Sequence, residues 1–178
     1  MRADLDGRRM ADQRIGWADM ILALLATYGV TAAPPTGHRY WRFRATSDCW
    51  YLDGDYQASL SSISLFASPD ATGVDLALGK TATASSSAGP SYDAEAAVDG
   101  LSQTFWHNNS GMLTPAWLMV DLGANADIHS MQIQSQYGSG YEQPATFVLE
   151  YSDNGATFTV QNSLATSLTT NLQSFTNL

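Results

Sequence analysis

Pro115-Ala116-Trp117-Leu118-Met119-Val120-Asp121-Leu122-Gly123 alternates along its length between a proline and a glycine. A period of two sends successive side chains to opposite faces of an extended chain, so the segment reads as a strand. Working outward, Met131-Gln132-Ile133-Gln134-Ser135-Gln136 and Ser62-Ile63-Ser64-Leu65 alternate in the same way. Phe147-Val148-Leu149-Glu150-Tyr151 places Phe147, Leu149 and Tyr151 together, with Glu150 expected to face solvent. Tyr40-Trp41-Arg42-Phe43-Arg44 sets Trp41 and Phe43 on one face and Arg42 and Arg44 on the other. Trp41 and Phe43 are expected to share a core with Trp117 and Leu149. Turn signals at Asp53-Gly54-Asp55, Ser68-Pro69-Asp70, Asp99-Gly100, Gly123-Ala124-Asn125 and Asp153-Asn154-Gly155 separate the runs. Seven or eight short strands of this kind predict an all-β fold, an antiparallel jelly-roll β-sandwich.

The chain has 178 residues, 44% hydrophobic and 14% charged, enough for one domain of about 140 residues with an appendage. Its net charge is −9, and residues 81–178 hold eight carboxylates and no lysine or arginine. A phosphate backbone needs a cationic stripe, so this part excludes nucleic acid and electrostatic docking on an anionic membrane. The single cysteine, Cys49, cannot form an internal disulfide, and His38, His107 and His129 lack metal-ligand spacing. No nucleophile elbow, P-loop or HExxH motif is present, so the chain reads as non-enzymatic.

Before the strands the period differs. Trp17, Met20, Ile21, Leu24, Leu25 and Tyr28 fall on helical spacing, and Gly29 with Pro34-Pro35 ends the pattern. The spacing predicts a short amphipathic helix within residues 1–35, an anchor or oligomerisation segment. Its apolar run is too short to span a bilayer. The arginines at positions 2, 8, 9 and 14 are balanced by Asp4, Asp6, Asp12 and Asp19, which argues against a cleaved signal peptide. The apolar stripe needs a partner: its own domain, further copies of the chain, or other proteins of an assembly.

Four motifs in order carry a resemblance. They are Leu76-Ala77-Leu78-Gly79-Lys80-Thr81-Ala82-Thr83-Ala84-Ser85-Ser86, then Ala96-Ala97-Val98-Asp99-Gly100 with Thr104-Phe105-Trp106, then residues 115–123, then residues 147–158. Together they resemble the discoidin family, the coagulation-factor C-type, galactose-binding-like jelly rolls. That family closes with an R-Y-x-R-x-R strand and an outer hairpin. Here the matching residues, Arg39-Tyr40-Trp41-Arg42-Phe43-Arg44 and 58–66, come before the opening strand. The resemblance therefore implies a circularly permuted jelly roll over residues 36–178, with the closing hairpin 38–66 first. Two other arrangements are a fragment holding the tail of one module and the head of the next, and exchange of the hairpin between subunits.

The resemblance also implies sites. No cofactor is required, but family members commonly hold a structural calcium, for which Asp99, Ser102 and Thr104 stand in matching positions. Ser62 replaces the glutamate that the family draws from its closing hairpin. Glycan ligands dock on end loops, here holding His107, Asn108, Asn109, Tyr137, Tyr141 and Glu142, which supply aromatic faces for sugar C–H groups and planar polar groups for hydroxyls. The arrangement is similar to modules of bacteriophage tail and fibre proteins. The expectation is a structural and adhesion protein of the virion, assembled in the bacterial cytoplasm. It would contact itself or other virion proteins through residues 1–35 and a cell-surface glycan through the jelly roll, without nucleic acid or membrane insertion. The alternative is a secreted or cell-surface bacterial carbohydrate-binding module, or a fragment of a larger glycan-acting protein.

Overall fold

A computed structural model describes residues 36–48, 58–109, 115–136, 142–167 and 171–178. The helix pattern carried by Trp17, Met20, Ile21, Leu24, Leu25 and Tyr28 lies outside them, as do Cys49, Tyr137 and Tyr141. The strand β1 (His38–Ala45) is central. It pairs antiparallel on one side with β6 (Trp117–Ala126), Phe43 opposite Leu118, and on the other with β8 (Thr146–Ser152), Phe43 opposite Leu149. Strands β4 (Thr81–Ala84) and β9 (Thr159–Ala165) complete a five-stranded sheet in the order β4-β6-β1-β8-β9. A second sheet places β7 (Ser130–Gln134) between β3 (Ser62–Phe66) and β10 (Leu172–Thr176). A short ladder joins β2 (Ser59–Leu60) to β5 (Trp106–His107), and Ala94–Ala97 forms one 3₁₀ turn. The described strands number ten rather than seven or eight, because the polar runs of β9 and β10 also pair.

The core follows from the alternation. Trp41, Phe43, Leu118, Val120, Phe147 and Leu149 from the first sheet and Ile63, Leu65, Met131 and Ile133 from the second belong to one buried cluster. Full burial of an aromatic or branched side chain contributes about 1.5–3 kcal/mol, so Trp41 and Phe43 make β1 a principal source of stability. Two expectations need correction. Trp117 is not in this core: it lies one residue out of phase with Leu118, on the opposite face, with the Arg42 guanidinium 5.7 Å from its ring centre. Glu150 does share that outer face, yet only 3% of its surface is exposed. Arg42 Nε donates to its Oε2 at 2.7 Å, and Arg44 Nη2 and Nε donate to Oε1 at 2.7 and 3.0 Å. Arg42 is itself roofed by Phe158, 3.6 Å from the ring centre. Burial alone would raise the Glu150 carboxyl, but Arg44 and Arg42 outweigh it and hold the group below the usual carboxylate range.

Both ends of this region meet on one turn. Thr36 Oγ1 donates to Asp127 Oδ2 at 2.5 Å, and the Leu178 N–H donates to the His129 carbonyl at 2.9 Å. Gly37 has φ +93 and lies so close to Ala126 that a Cβ would sit 2.2 Å from its carbonyl carbon. The loop between β3 and β4 is tied down along its length. Asp75 Oδ1 accepts from the N–H groups of Leu65 and Ala77, and Ser130 Oγ receives the Ala71 N–H while donating to the Ser68 carbonyl. Among the described residues no helix is long and apolar enough to cross a membrane.

Candidate functional site

At one end of the sandwich, β5 positions a cluster of polar and aromatic groups. Trp106 is fully buried and donates Nε1–H to the Ser86 carbonyl at 3.0 Å, which fixes β5 against the loop after β4. That loop is held from both sides: the Ala88 N–H donates to the His107 carbonyl at 2.8 Å, and the His107 N–H to the Tyr92 carbonyl at 3.3 Å. Tyr92 thereby packs on Phe105, ring centres 5.0 Å apart, and meets His107 edge-on at 6.2 Å. From the far side comes Glu142, whose backbone is in the left-handed region at φ +57 and whose carbonyl accepts the Ser59 N–H at 3.0 Å. Its Oε2 reaches 3.3 Å from His107 Nε2, and both side chains are 15% exposed.

Two cavities open here. The smaller, about 200 Å³, is lined by Ala88, Tyr92, Phe105, His107 and Gln136. The larger, about 320 Å³, is lined by Ser61, Ser102, Gln103, Phe105 and the β7 end, Gln134, Ser135 and Gln136. Phe105 and Gln136 belong to both. Gln136 is 8% exposed, and its buried Oε1 has no hydrogen-bond partner among the described residues. A buried acceptor in that state is costly, and a native protein that keeps one invites the question of what supplies the missing donor.

The structure brings His107 and Glu142 together, with His107 lining the smaller cavity. Asn108 is turned inward, 1% exposed, with Oδ1 accepting the Ala58 N–H at 2.7 Å and its own N–H donating to the Ala58 carbonyl at 3.1 Å. It thus bonds an adjoining strand as a backbone unit would. Asn109 is exposed, and its N–H donates to Ser86 Oγ. Sequence reasoning missed Tyr92, Phe105, Gln103 and Gln136. Phe105, between Thr104 and Trp106 in a quoted motif, carried the clearest available signal.

The turn of Asp99 and Thr104, where the resemblance implied calcium, is closed by its own hydrogen bonds. Asp99 Oδ1 accepts the Leu101 N–H at 2.8 Å and Oδ2 accepts the Thr104 hydroxyl at 2.7 Å, with the Leu101 carbonyl 3.0 Å from the same hydroxyl. Ser102 instead lines the larger cavity. Calcium takes six to eight oxygens, typically several of them carboxylate. Among the described residues no three acidic, histidine or cysteine side chains gather, and this loop offers one carboxylate that closes on itself. The described side chains of this loop supply one carboxylate and one hydroxyl, so calcium here would lean on backbone carbonyls.

Two antiparallel sheets with end loops shaping a cleft lined without lysine or arginine define a jelly-roll module of the ligand-binding kind. The family model described as the F5/8 type C domain matches residues 81–177, more than half of the chain, and the chain belongs to that family. Its members are carbohydrate- or other ligand-binding modules and are generally non-catalytic, which supports a binding role. No curated protein and no solved structure matches. Residues 38–66 precede the matched segment, although β1 sits at the centre of its sheet.

Proposed function

We propose that the chain is a non-enzymatic adhesion module that holds a neutral glycan in the cleft of Tyr92, Phe105, His107 and Gln136. The observation that carries this reading is the aromatic cavity with a hydrogen-bonding rim and no cation. Tyr92 and Phe105 offer flat faces to sugar C–H groups, His107 stands at the rim beside Glu142, and the Gln136 Oε1 can accept from a sugar hydroxyl. An anionic headgroup would meet no lysine or arginine in either cavity lining. The test is capture of the full chain on immobilised neutral glycans, with phosphatidylserine vesicles as the opposing probe. Retention on glycans that falls at least about tenfold in Tyr92→Ala supports the reading, and vesicle binding without glycan binding refutes it.

The setting we propose is a bacteriophage virion, with residues 1–35 joining the module to copies of itself or to other virion proteins. The acidic, single-cysteine chain and the helical spacing before Pro34 support it. Light scattering on full-length protein and on residues 36–178 tests it. A multimer that falls apart on truncation agrees, whereas a monomer in both forms points to the secreted carbohydrate-binding module.

The jelly roll itself we propose to be circularly permuted over residues 36–178. Supporting this, Thr36 and Leu178 bond to the same turn, at Asp127 and His129, so one short link would restore the order in which β1 follows β10.

A further inference from the structure

Beyond a single sugar pocket, the larger cavity remains to be explained. Ligand pockets run from about 300 to 1,000 Å³. The aromatic cavity, about 200 Å³, is below that range, and its neighbour, about 320 Å³, is at the floor. Taken together across their shared residues, Phe105 and Gln136, they fall inside it. The chemistry of the two lobes differs. The aromatic lobe suits the apolar face of one ring. The second lobe has carboxamides from Gln103, Gln134 and Gln136 and hydroxyls from Ser61, Ser102 and Ser135, with Phe105 as its one aromatic.

Two of those hydroxyls are already engaged: Ser61 Oγ donates to the Ser135 carbonyl at 3.2 Å, and Ser135 Oγ to Asn171 Oδ1 at 3.0 Å. They brace the floor. Ser102 and Gln103 lie on an exposed turn at the rim, and Gln134 and Gln136 approach from the end of β7. A carboxamide both donates and accepts, so this set matches groups that do the same: hydroxyls and neutral amides. The buried Gln136 Oε1 between the lobes has no donor among the described residues. A carboxylate or phosphate oxygen cannot supply one, whereas a sugar hydroxyl can.

Resting on the glycan reading above, we infer that the cleft has two subsites and that its ligand is a neutral glycan of at least two units, one ring on Tyr92 and Phe105 and the next in the amide lobe. The junction of the two units lies over Phe105 and Gln136. Ser102 and Gln103 then select for chain length without touching the first sugar.

The experiment is isothermal titration of the full chain with matched pairs: galactose and lactose, glucose and cellobiose, N-acetylglucosamine and its β-1,4 dimer. For whichever sugar binds, the dimer should bind about tenfold or more tighter than the monomer, the increment of one further hydrogen-bonded ring. Gln103→Ala, on an exposed turn, should remove about three- to tenfold of the dimer affinity and leave the monomer unchanged. Tyr92→Ala should weaken both. Equal affinities for monomer and dimer overturn the second subsite and leave the glycan reading intact. Equal loss for both ligands in Gln103→Ala overturns it as well, because the side chain would then act on the first ring. Failure of every sugar to bind at about 10 mM, a concentration that detects even Kd values in the millimolar range, overturns the glycan reading and this inference together.

Discussion

Replacing Glu150 by glutamine gives the sharpest test of how the outer face of the first sheet is held. The carboxylate is 4% exposed and receives three charge-assisted hydrogen bonds of 2.7, 2.7 and 3.0 Å from Arg42 and Arg44, whose side chains are 19% and 29% exposed. Breaking a fully buried ion pair by removing one partner costs about 3–5 kcal/mol, because the remaining charge stays desolvated. Here the two guanidinium groups retain some water, so the expected loss is smaller, about 2–3 kcal/mol. Urea unfolding followed by tryptophan fluorescence measures it as a lower midpoint at unchanged slope. The pH dependence provides a second check. The folded carboxyl lies below its unfolded value of about 4.3, so the unfolded state binds more protons across the acid range. The stabilisation is complete above that unfolded value and is lost as pH falls through the folded one. The gap between wild type and Glu150→Gln should therefore be full at pH 7 and close on acidification. A gap under about 0.5 kcal/mol at pH 7, the size of an ordinary exposed pair, or one that persists undiminished in acid, would refute the reasoning.

Asn108→Ala should cost about 1–3 kcal/mol in the same unfolding assay, because it leaves the buried Ala58 N–H without its acceptor. Gly37→Ala should cost about 1–3 kcal/mol through a strained φ of +93, with further loss from the clash on the Ala126 carbonyl, seen as a lowered melting temperature. A chain reopened between Gly73 and Val74, both exposed, with a short glycine-serine link from Leu178 to Thr36, should keep the near-ultraviolet circular dichroism of the parent. An unfolded product would count against the permuted order.

The sheets were legible because alternation is a local property. The strand of residues 117–122 alternates, and so does the strand it becomes. Which of its faces turns inward is not local. Trp117 and Met119 make one face nearly as apolar as Leu118, Val120 and Leu122 make the other, and only the pairing with β1 decides between them. Glu150 shows the same limit from the polar side. Its outward direction could be read, but its burial depends on Arg42 lying opposite it across β1 and β8, 108 residues away in the chain. At the cleft, the residue types at His107 and Glu142 were apparent, whereas their approach to 3.3 Å depends on a loop crossing that no spacing encodes. Gln136 ends an alternating run whose glutamines should face water. The last of them is buried, two residues beyond the end of β7, where it lines both cavities with Phe105.

The placement of β1 also bears on how a chain in this order can fold. Its partners, residues 117–126 and 146–152, are made long after it, and non-local pairing of this kind is slow because loop closure comes before any contact repays it. An apolar strand kept waiting is an aggregation hazard. Arg39, Arg42 and Arg44 mitigate that hazard, since a strand carrying three positive charges resists pairing with its own copies. The same charges then specify where the strand goes. Arg39 Nε and Nη2 donate to Asp121 on β6 at 2.6 and 2.7 Å, which holds that carboxyl below its usual range. Arg42 and Arg44 take Glu150 on β8. A one-residue slip would turn Arg42 and Arg44 toward the core and Trp41 and Phe43 toward water, so charge and hydrophobic pattern favour the same register. Three arginines and two carboxylates thus identify both neighbours of the central strand, whatever the order in which the chain delivers them.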